Sequence, residues 1–390
     1  MSEVHLLFLL LPLAALSGWY VARRGSERTS GARVSELSSN YFRGLNYLLN
    51  EEQDKAIEVF LKLAEYNRDT VETHLALGNL FRRRGEVDRA IRVHQNLIAR
   101  PSLSDEHKTI ALLELGEDYM RAGLLDRAET LFTDLVAMNA LAPSALTHLV
   151  SIYQHERDWN KAIDNATRLE AATGESQGAI IAQFHCELAE QARGRQAMEE
   201  ARACLDAALA AEDDCIRASM IRGHIEAACG NFEAAIDAFE HVAELEVDYV
   251  PEILAPLLDC YARAQAMQRA EQFLLRMTER HQGVSPVLAL ARLYARTQGE
   301  KSAVEFLTRQ LHQRPSVRAL MALIDANLHS AHGEARESLL IQRDLTRKLL
   351  EGQAMYRCSR CGFGAKAHHW QCPSCKNWST IRPIHSVVGE

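Results

Sequence analysis

The chain has 390 residues, of which 47% are hydrophobic and 25% charged, a composition that excludes a disordered or a polytopic membrane protein. Its formal net charge of −8 provides no overall basic surface, so we do not expect nucleic acid as a partner. Only nine prolines interrupt a sequence rich in Ala, Leu, Arg and Glu, which favours helix throughout and excludes a large β-domain.

The stretch 4–22 contains no charged residue. As a helix it would span about 28 Å, close to the roughly 30 Å hydrocarbon core of a bilayer. Arg23 and Arg24 follow directly, which by the positive-inside rule places the N-terminus outside and the bulk of the chain in the cytoplasm. A secretory signal carries its charge before the apolar run, so we predict a single-pass transmembrane anchor over 1–22 and a cytoplasmic linker over 23–36. A cleaved signal and an interfacial helix are the alternatives.

A recurring pattern of small residues indicates helical repeats over 37–351. In each copy a small or aliphatic residue is followed twelve positions later by alanine, and in most copies an aromatic residue lies between them. The paired positions are Gly44 and Ala56, Gly78 and Ala90, Gly116 and Ala128, Val150 and Ala162, Ala189 and Ala201, Gly223 and Ala235, Leu258 and Ala270, and Ala291 and Ala303.

This pattern resembles the tetratricopeptide repeat, a pair of antiparallel helices. The resemblance implies an all-α fold, a tetratricopeptide-repeat superhelix of about eight repeats, with a closing helix at 334–351. Each helix pair leaves an apolar face that only a neighbouring pair can cover, and the stacked pairs offer a long surface to other polypeptides. The chain contains no phosphate-binding glycine loop, no dinucleotide-binding fingerprint and no zinc-protease motif, so we do not expect an enzyme.

Four cysteines near the C-terminus have the spacing of a metal site. Cys358 and Cys361 are separated by two residues, as are Cys372 and Cys375, and ten residues separate the two pairs. Two intervening residues let one tight turn aim both sulfurs at a single point, and two such turns form a tetrahedral site. We therefore predict that these four cysteines bind one metal ion. Two disulfides are the alternative, which a reducing cytoplasm disfavours.

The segment 355–383, here called the knuckle, resembles rubredoxin in its Y-x-C-x-x-C-G-F and C-P-x-C motifs. The resemblance implies iron or zinc, and the sequence does not decide between them. Lys376 and Asn377 stand where rubredoxin has glycine, which argues against electron transfer. Gly362 is expected to have positive φ, so that backbone N–H groups can point at sulfur. Since only five residues, 353–357, connect the closing helix to the knuckle, we predict that the knuckle packs on the last repeats.

Anchor, repeat array and knuckle, in this order, resemble the lipopolysaccharide assembly protein B family of Gram-negative bacteria. The opening LLFLLLPLAALSGWYVARR and the closing CSRCGF and CPSCKNW carry the match. The resemblance implies a non-catalytic inner-membrane adaptor that helps an FtsH-type membrane protease degrade the deacetylase committing flux to lipid A. It also implies contact with other lipopolysaccharide assembly proteins, and homo-oligomer formation stays open. A redox- or iron-sensing module and an RNA-binding ribbon are the alternative functions.

Overall fold

The computed structural model describes Trp19, residues 42–47, Asn50, residues 52–66 and residues 70–390. Apart from Trp19, the predicted anchor and linker over 1–36 lie outside these described residues. Within the described part of the chain, no helix has both the length and the apolar character needed to cross a membrane.

The described residues form an almost entirely helical chain that ends in a small antiparallel sheet. A helical stretch at 42–47 precedes the first long helix. The helices are α1 Gln53–Tyr66, α2 Val71–Arg84, α3 Val87–Ile98, α4 Asp105–Arg121, α5 Leu125–Ala137, α6 Ala142–Glu156, α7 Trp159–Thr173, α8 Gly178–Gly194, α9 Met198–Ala211, α10 Ile216–Ala228, α11 Phe232–Leu245, α12 Val250–Arg263, α13 Met267–Arg280, α14 Ser285–Thr297, α15 Glu300–Gln313, α16 Val317–Leu328 and α17 Glu334–Leu350. The strands are β1 Tyr356–Cys358, β2 Gly364–Ala365 and β3 Ile381–Pro383.

The alanines of the repeat pattern lie where two helices of a pair touch. All of them are buried, from 0% exposed at the first seven to 3% at Ala303. The glycines of the preceding helices face aromatic rings: a Cβ would lie 2.9 Å from the Phe60 ring at Gly44, 2.5 Å from Phe132 at Gly116 and 2.6 Å from Phe239 at Gly223. Because no side chain fits there, glycine lets the two helices approach closely. The predicted tetratricopeptide array and cysteine knuckle are confirmed.

One repeat replaces the packed phenylalanine with histidine. His94 is fully buried, and a Cβ on Gly78 would collide with its ring. Its Nδ1 lies 2.6 Å from the buried Asp118 carboxylate, which also accepts a hydrogen bond from Arg82 at 2.7 Å. The buried acidic group is therefore paired on two sides, as a charge away from water requires. The repeat pattern did not predict this polar substitution.

The chain divides into two compact units. One comprises the described residues of Met1–Asp158 together with Ala171–Thr173. The other comprises Trp159–Glu170 and Gly174–Glu390, and therefore contains α8–α17, most of α7 and the knuckle. Its core includes large, fully buried side chains from α11, α12 and α13: Phe239, Tyr261 and Phe273.

The sheet has the order β2-β1-β3, with both neighbours antiparallel to β1. Tyr356 in β1 lies opposite Ala365 in β2 and Pro383 in β3. Gly352, with φ of 79°, follows the end of α17 and redirects the chain toward β1. So short a sheet cannot bury a core of its own and depends on other elements or on a metal for stability.

Candidate metal centre

The four cysteine sulfurs of the knuckle converge on one point, where all lie within 4.8 Å of one another. The Cys358 and Cys375 sulfurs are 3.7 Å apart, and so are those of Cys361 and Cys372. A tetrahedral ion with metal–sulfur bonds of about 2.3 Å has sulfur–sulfur edges of about 3.8 Å. The donor set therefore fits one ion. All nine cysteines lie in the described part of the chain and are free thiols, so the alternative of two disulfides is wrong.

The two cysteine pairs lie in turns of the same kind. The Gly362 N–H donates to the Cys358 carbonyl at 3.0 Å, and the Lys376 N–H donates to the Cys372 carbonyl at 2.9 Å. Both turn residues are left-handed, with φ of 77° at Gly362 and 58° at Lys376. Lys376 thus adopts the conformation that glycine takes in the first turn, although its Cβ disfavours it. The second turn therefore keeps the same backbone conformation, although lysine replaces the glycine of the rubredoxin pattern.

The surroundings of the site favour thiolate at two positions. A hydrogen bond with the Thr380 hydroxyl is the main cause that lowers the pKa of Cys358 to about 6. Backbone and side-chain hydrogen bonds from Asn377 lower the pKa of Cys375. Burial raises the pKa of Cys372 to about 11, so this thiol keeps its proton until an ion displaces it. Metal binding at this site therefore releases protons and weakens as the pH falls.

Trp378 of the knuckle packs on two aromatic side chains of the helices. Its ring centroid lies 6.4 Å from that of Trp159 in α7 and 6.2 Å from that of Phe184 in α8, both in edge-on geometry. Trp159 is 4% exposed and Phe184 is fully buried. The knuckle packs on the repeats as predicted, but these two helices lie in the middle of the array and not among the last repeats. The knuckle tryptophans Trp370 and Trp378 extend the core of the helices.

Arg217 near the start of α10 lies between the two tryptophans of the knuckle. Its guanidinium carbon is 5.7 Å from the Trp370 ring centroid and 5.5 Å from that of Trp378. The same group forms an ion pair with Glu187 of α8 at 2.8 Å, and the side chain is only 6% exposed. Cation–π contacts shielded from water are worth about 2 kcal/mol. Arg217 therefore joins the knuckle to two helices at once.

Further contacts join the knuckle and the residues after it to the segment just before α12, to the first turn of α12 and to the start of α14. Trp370 stacks on Tyr249 with 5.3 Å between centroids. The polar contacts are Tyr356 with Glu252, Arg382 with Glu246 at 3.4 Å, His385 with Asp248 at 3.0 Å, and the Glu390 carboxylate with the Ser285 N–H at 2.8 Å. These partners are more than ninety residues apart in the chain, so no local motif could have indicated them.

A buried pair of thiols in the same unit was also missed by sequence reasoning. The sulfurs of Cys186 in α8 and Cys215, the residue that precedes α10, lie 3.9 Å apart. The hydrogen bond between them lowers the pKa of Cys215 to about 7 and raises that of Cys186. Cys215 is separated from Arg217 by one residue, so the thiols lie close to the contact that holds the knuckle.

Fold and site together define a helical-repeat protein with a rubredoxin-like metal module. The family described as "Rubredoxin metal binding domain" matches residues 356–383. Tetratricopeptide-repeat families match residues 73–108, 113–176 and 186–246.

Full-length relatives identify the family. Lipopolysaccharide assembly protein B of Escherichia coli (strain K12) is 40% identical over 387 residues, covering 99% of this chain and 100% of that protein. The protein of the same name from Haemophilus influenzae is 35% identical over 390 residues, covering 98% of each. The chain belongs to the lipopolysaccharide assembly protein B family. Among solved structures, part of a tetratricopeptide-repeat protein from Cytophaga hutchinsonii matches with 13% identity and a TM-score of 0.41, covering 68% of this chain and 98% of that one.

Proposed function

We propose that this protein is a non-catalytic adaptor in lipopolysaccharide assembly. The observation that carries the proposal is the similarity, along its whole length, to relatives named for that process. The fold agrees with an adaptor, because stacked helix pairs present a surface to other polypeptides. The described residues hold one convergent cluster of metal-ligating groups, and its four thiolates would fill the coordination sphere of a tetrahedral ion. A filled sphere leaves no position for a substrate.

We propose further that residues 1–22 anchor the protein in the inner membrane, with the N-terminus in the periplasm and the repeats in the cytoplasm. Confinement to the membrane raises the effective concentration of the repeats near other membrane proteins. In this proposal an FtsH-type protease and the lipid A-committing deacetylase are brought together on the repeats, and other lipopolysaccharide assembly proteins are further partners. Deleting 1–22 should abolish function while the remaining chain still folds, and full activity of the truncated protein would contradict the tethering step.

Cys358, Cys361, Cys372 and Cys375 are the proposed ligands of one iron or zinc ion. The bound ion would supply a cross-link between the two turns, which are too short to hold each other by apolar contacts. The position of the knuckle on the helices is then set by side-chain contacts of Arg217 and Trp378. The ion is in this view a structural part of the adaptor.

The decisive experiment is a pull-down from solubilised membranes with the wild type and a variant carrying serine at the four knuckle positions. We expect the protease and the deacetylase among the proteins retained by the wild type and lost by the variant. A matched control replaces Cys204 and Cys229, which are not buried, by serine, and it should retain the same proteins. Equal retention by wild type and knuckle variant would exclude the knuckle from partner binding, and absence of both partners from the wild type would refute the adaptor proposal.

One observation favours a redox- or iron-sensing module as a second candidate. Cys361 is exposed, so one ligand of the site lies within reach of a soluble redox partner. Purified protein with a red, reversibly reducible centre would support this function. Colourless protein with stoichiometric zinc would remove it.

A further inference from the structure

The last helix, α17, exposes an apolar stripe. Ile341, Leu345 and Leu349 are 62%, 57% and 60% exposed. Residues spaced four apart lie one above another on the same face of a helix, so the three side chains form a continuous strip. A helix that ends a repeat array normally presents a polar outer face. An apolar strip at this place marks an interaction surface.

Charged residues flank this strip, with acidic residues near the start of the helix and basic residues near its end. The first turn of α17 carries Glu334 and Glu337, and the last turn carries Arg347 and Lys348. At 100° per residue, Glu337 and Lys348 fall on the same side of the strip, one near each end. The ion pairs of α17 in the described chain join Arg343 and Arg347 to Asp344, leaving Glu337 and Lys348 available for a partner.

We propose that α17 pairs with α17 of a second copy of this chain in antiparallel orientation. A two-fold axis near residue 343 places Ile341 of one copy opposite Leu345 of the other. It also brings Glu337 beside Lys348 twice, once on each side of the axis. In a parallel pair the two-fold axis would instead place the charged sides of the two helices on opposite edges of the contact, where Glu337 and Lys348 could not meet. The surface is therefore self-complementary, as a two-fold interface requires.

The charge pattern favours a second copy over a membrane surface. Helices that lie on membranes concentrate Lys and Arg on their polar face, whereas α17 alternates acidic and basic groups. A strip of three side chains is smaller than the roughly 800 Å² per partner of a stable complex. The dimer is thus weak in dilute solution, and confinement to a membrane, which rests on the proposed function, would strengthen it.

The first test is sedimentation equilibrium of the full chain in density-matched detergent. Wild type should show a reversible monomer–dimer equilibrium. Leu345→Glu should raise the dissociation constant at least about tenfold, because a charge enters both sides of the apolar contact. The matched control, Leu275→Glu, alters a side chain of α13 that is 42% exposed and should leave the equilibrium unchanged. Wild type that stays monomeric, or equal dimerisation of Leu345→Glu, would overturn the proposal.

A charge exchange tests the orientation independently of folding. Glu337→Lys and Lys348→Glu should each weaken the dimer about three- to tenfold, because every variant pair then meets a like charge. Mixing the two variants restores opposite charges at both contacts, so heterodimers should form with wild-type strength. Neither a bilayer nor an unrelated protein would produce that recovery. Absence of recovery, or binding of anionic vesicles by wild type that Leu345→Glu abolishes, would refute the antiparallel pair. Either outcome leaves the adaptor proposal untouched.

Discussion

Gly362 and Lys376 occupy the same left-handed conformation in the two cysteine turns, with φ of 77° and 58°. An L-residue pays roughly 1–2 kcal/mol in this region relative to glycine. A Cβ on Gly362 would meet no atom within 4 Å, so the effect of adding one there is conformational rather than steric. The two positions therefore form a matched pair for measuring what backbone conformation contributes to the knuckle.

We predict that Lys376→Gly raises the free energy of unfolding of the metal-loaded protein by about 1 kcal/mol and that Gly362→Ala lowers it by a similar amount. Thermal unfolding measures both changes, and elemental analysis should find one ion per chain in each variant. Destabilisation by Lys376→Gly would show that the lysine side chain has a role of its own.

Residues whose role follows from local spacing could be predicted, and residues whose role depends on distant partners could not. Gly116 and its packed alanine twelve positions later were found because one helix pair repeats the same contact along the chain. The cysteine cluster was found because two short turns define it. The role of Arg217 was not predicted, because its partners Trp370 and Trp378 lie about 150 residues away in the sequence. The buried contact of His94 with Asp118 was not predicted, because a polar residue at this position does not follow the repeat pattern of small and apolar residues.

At the scale of elements, the knuckle contacts the N-terminal ends of several helices that are far apart in the sequence. Arg217 holds it from α10, so we predict that Arg217→Ala increases the rate of limited proteolysis within 353–357 several-fold. The metal content should be unchanged, because Arg217 contacts the two tryptophans of the knuckle and is not one of the four cysteine ligands. Cleavage is followed by mass spectrometry of the released fragment.

Arg222→Ala is the matched control, because Arg222 lies on the same helix and forms its ion pair with the exposed Asp206. It should leave the cleavage rate at the wild-type value. Equal cleavage of Arg217→Ala and Arg222→Ala would mean that the aromatic contacts of Trp378 hold the knuckle without the cation.

The Glu390 carboxylate makes the contact between the end of the described chain and α14 sensitive to pH. Burial alone would raise its pKa, but the His281 ring at 3.5 Å and hydrogen bonds from Ser285 outweigh burial, and the pKa lies below its usual value of 4.5. A lowered pKa in the folded state means that the contact stabilises the protein above the usual pKa of the group. This stabilisation is lost as the pH falls through the folded-state pKa.

We predict that Glu390→Gln lowers the free energy of unfolding near neutral pH by about 1–2 kcal/mol, the value of a hydrogen bond to a charged group. The difference from wild type should shrink as the pH falls below 4.5, the usual pKa of the carboxyl. Chemical denaturation over a pH series measures this difference in the free energy of unfolding. Glu351→Gln, at an exposed position after α17, serves as control and should follow wild type throughout. A difference independent of pH would assign the effect to packing rather than to charge.

At the scale of the whole molecule, the knuckle gives the second unit long-range contacts that repeat arrays ordinarily lack. In such arrays each repeat touches its neighbours only, so stability is a sum of local terms. Here one small metal module contacts Trp159, Phe184, Arg217 and Glu252, which belong to α7, α8, α10 and α12. An ion that stabilises the knuckle should therefore stabilise helices that hold no ligand to it.

We predict that chelating the ion increases amide hydrogen exchange in α8, α10 and the start of α12 as well as in the knuckle. The physical reason is that the apo knuckle loses its cross-link, leaves Trp159 and Phe184 uncovered, and frees Arg217 from both tryptophans. Hydrogen exchange followed by mass spectrometry resolves these helices. The variant with serine at the four knuckle positions should show the same pattern without chelator and no further change with it. Increased exchange confined to residues 355–383 would mean that the helices keep their stability without the metal module.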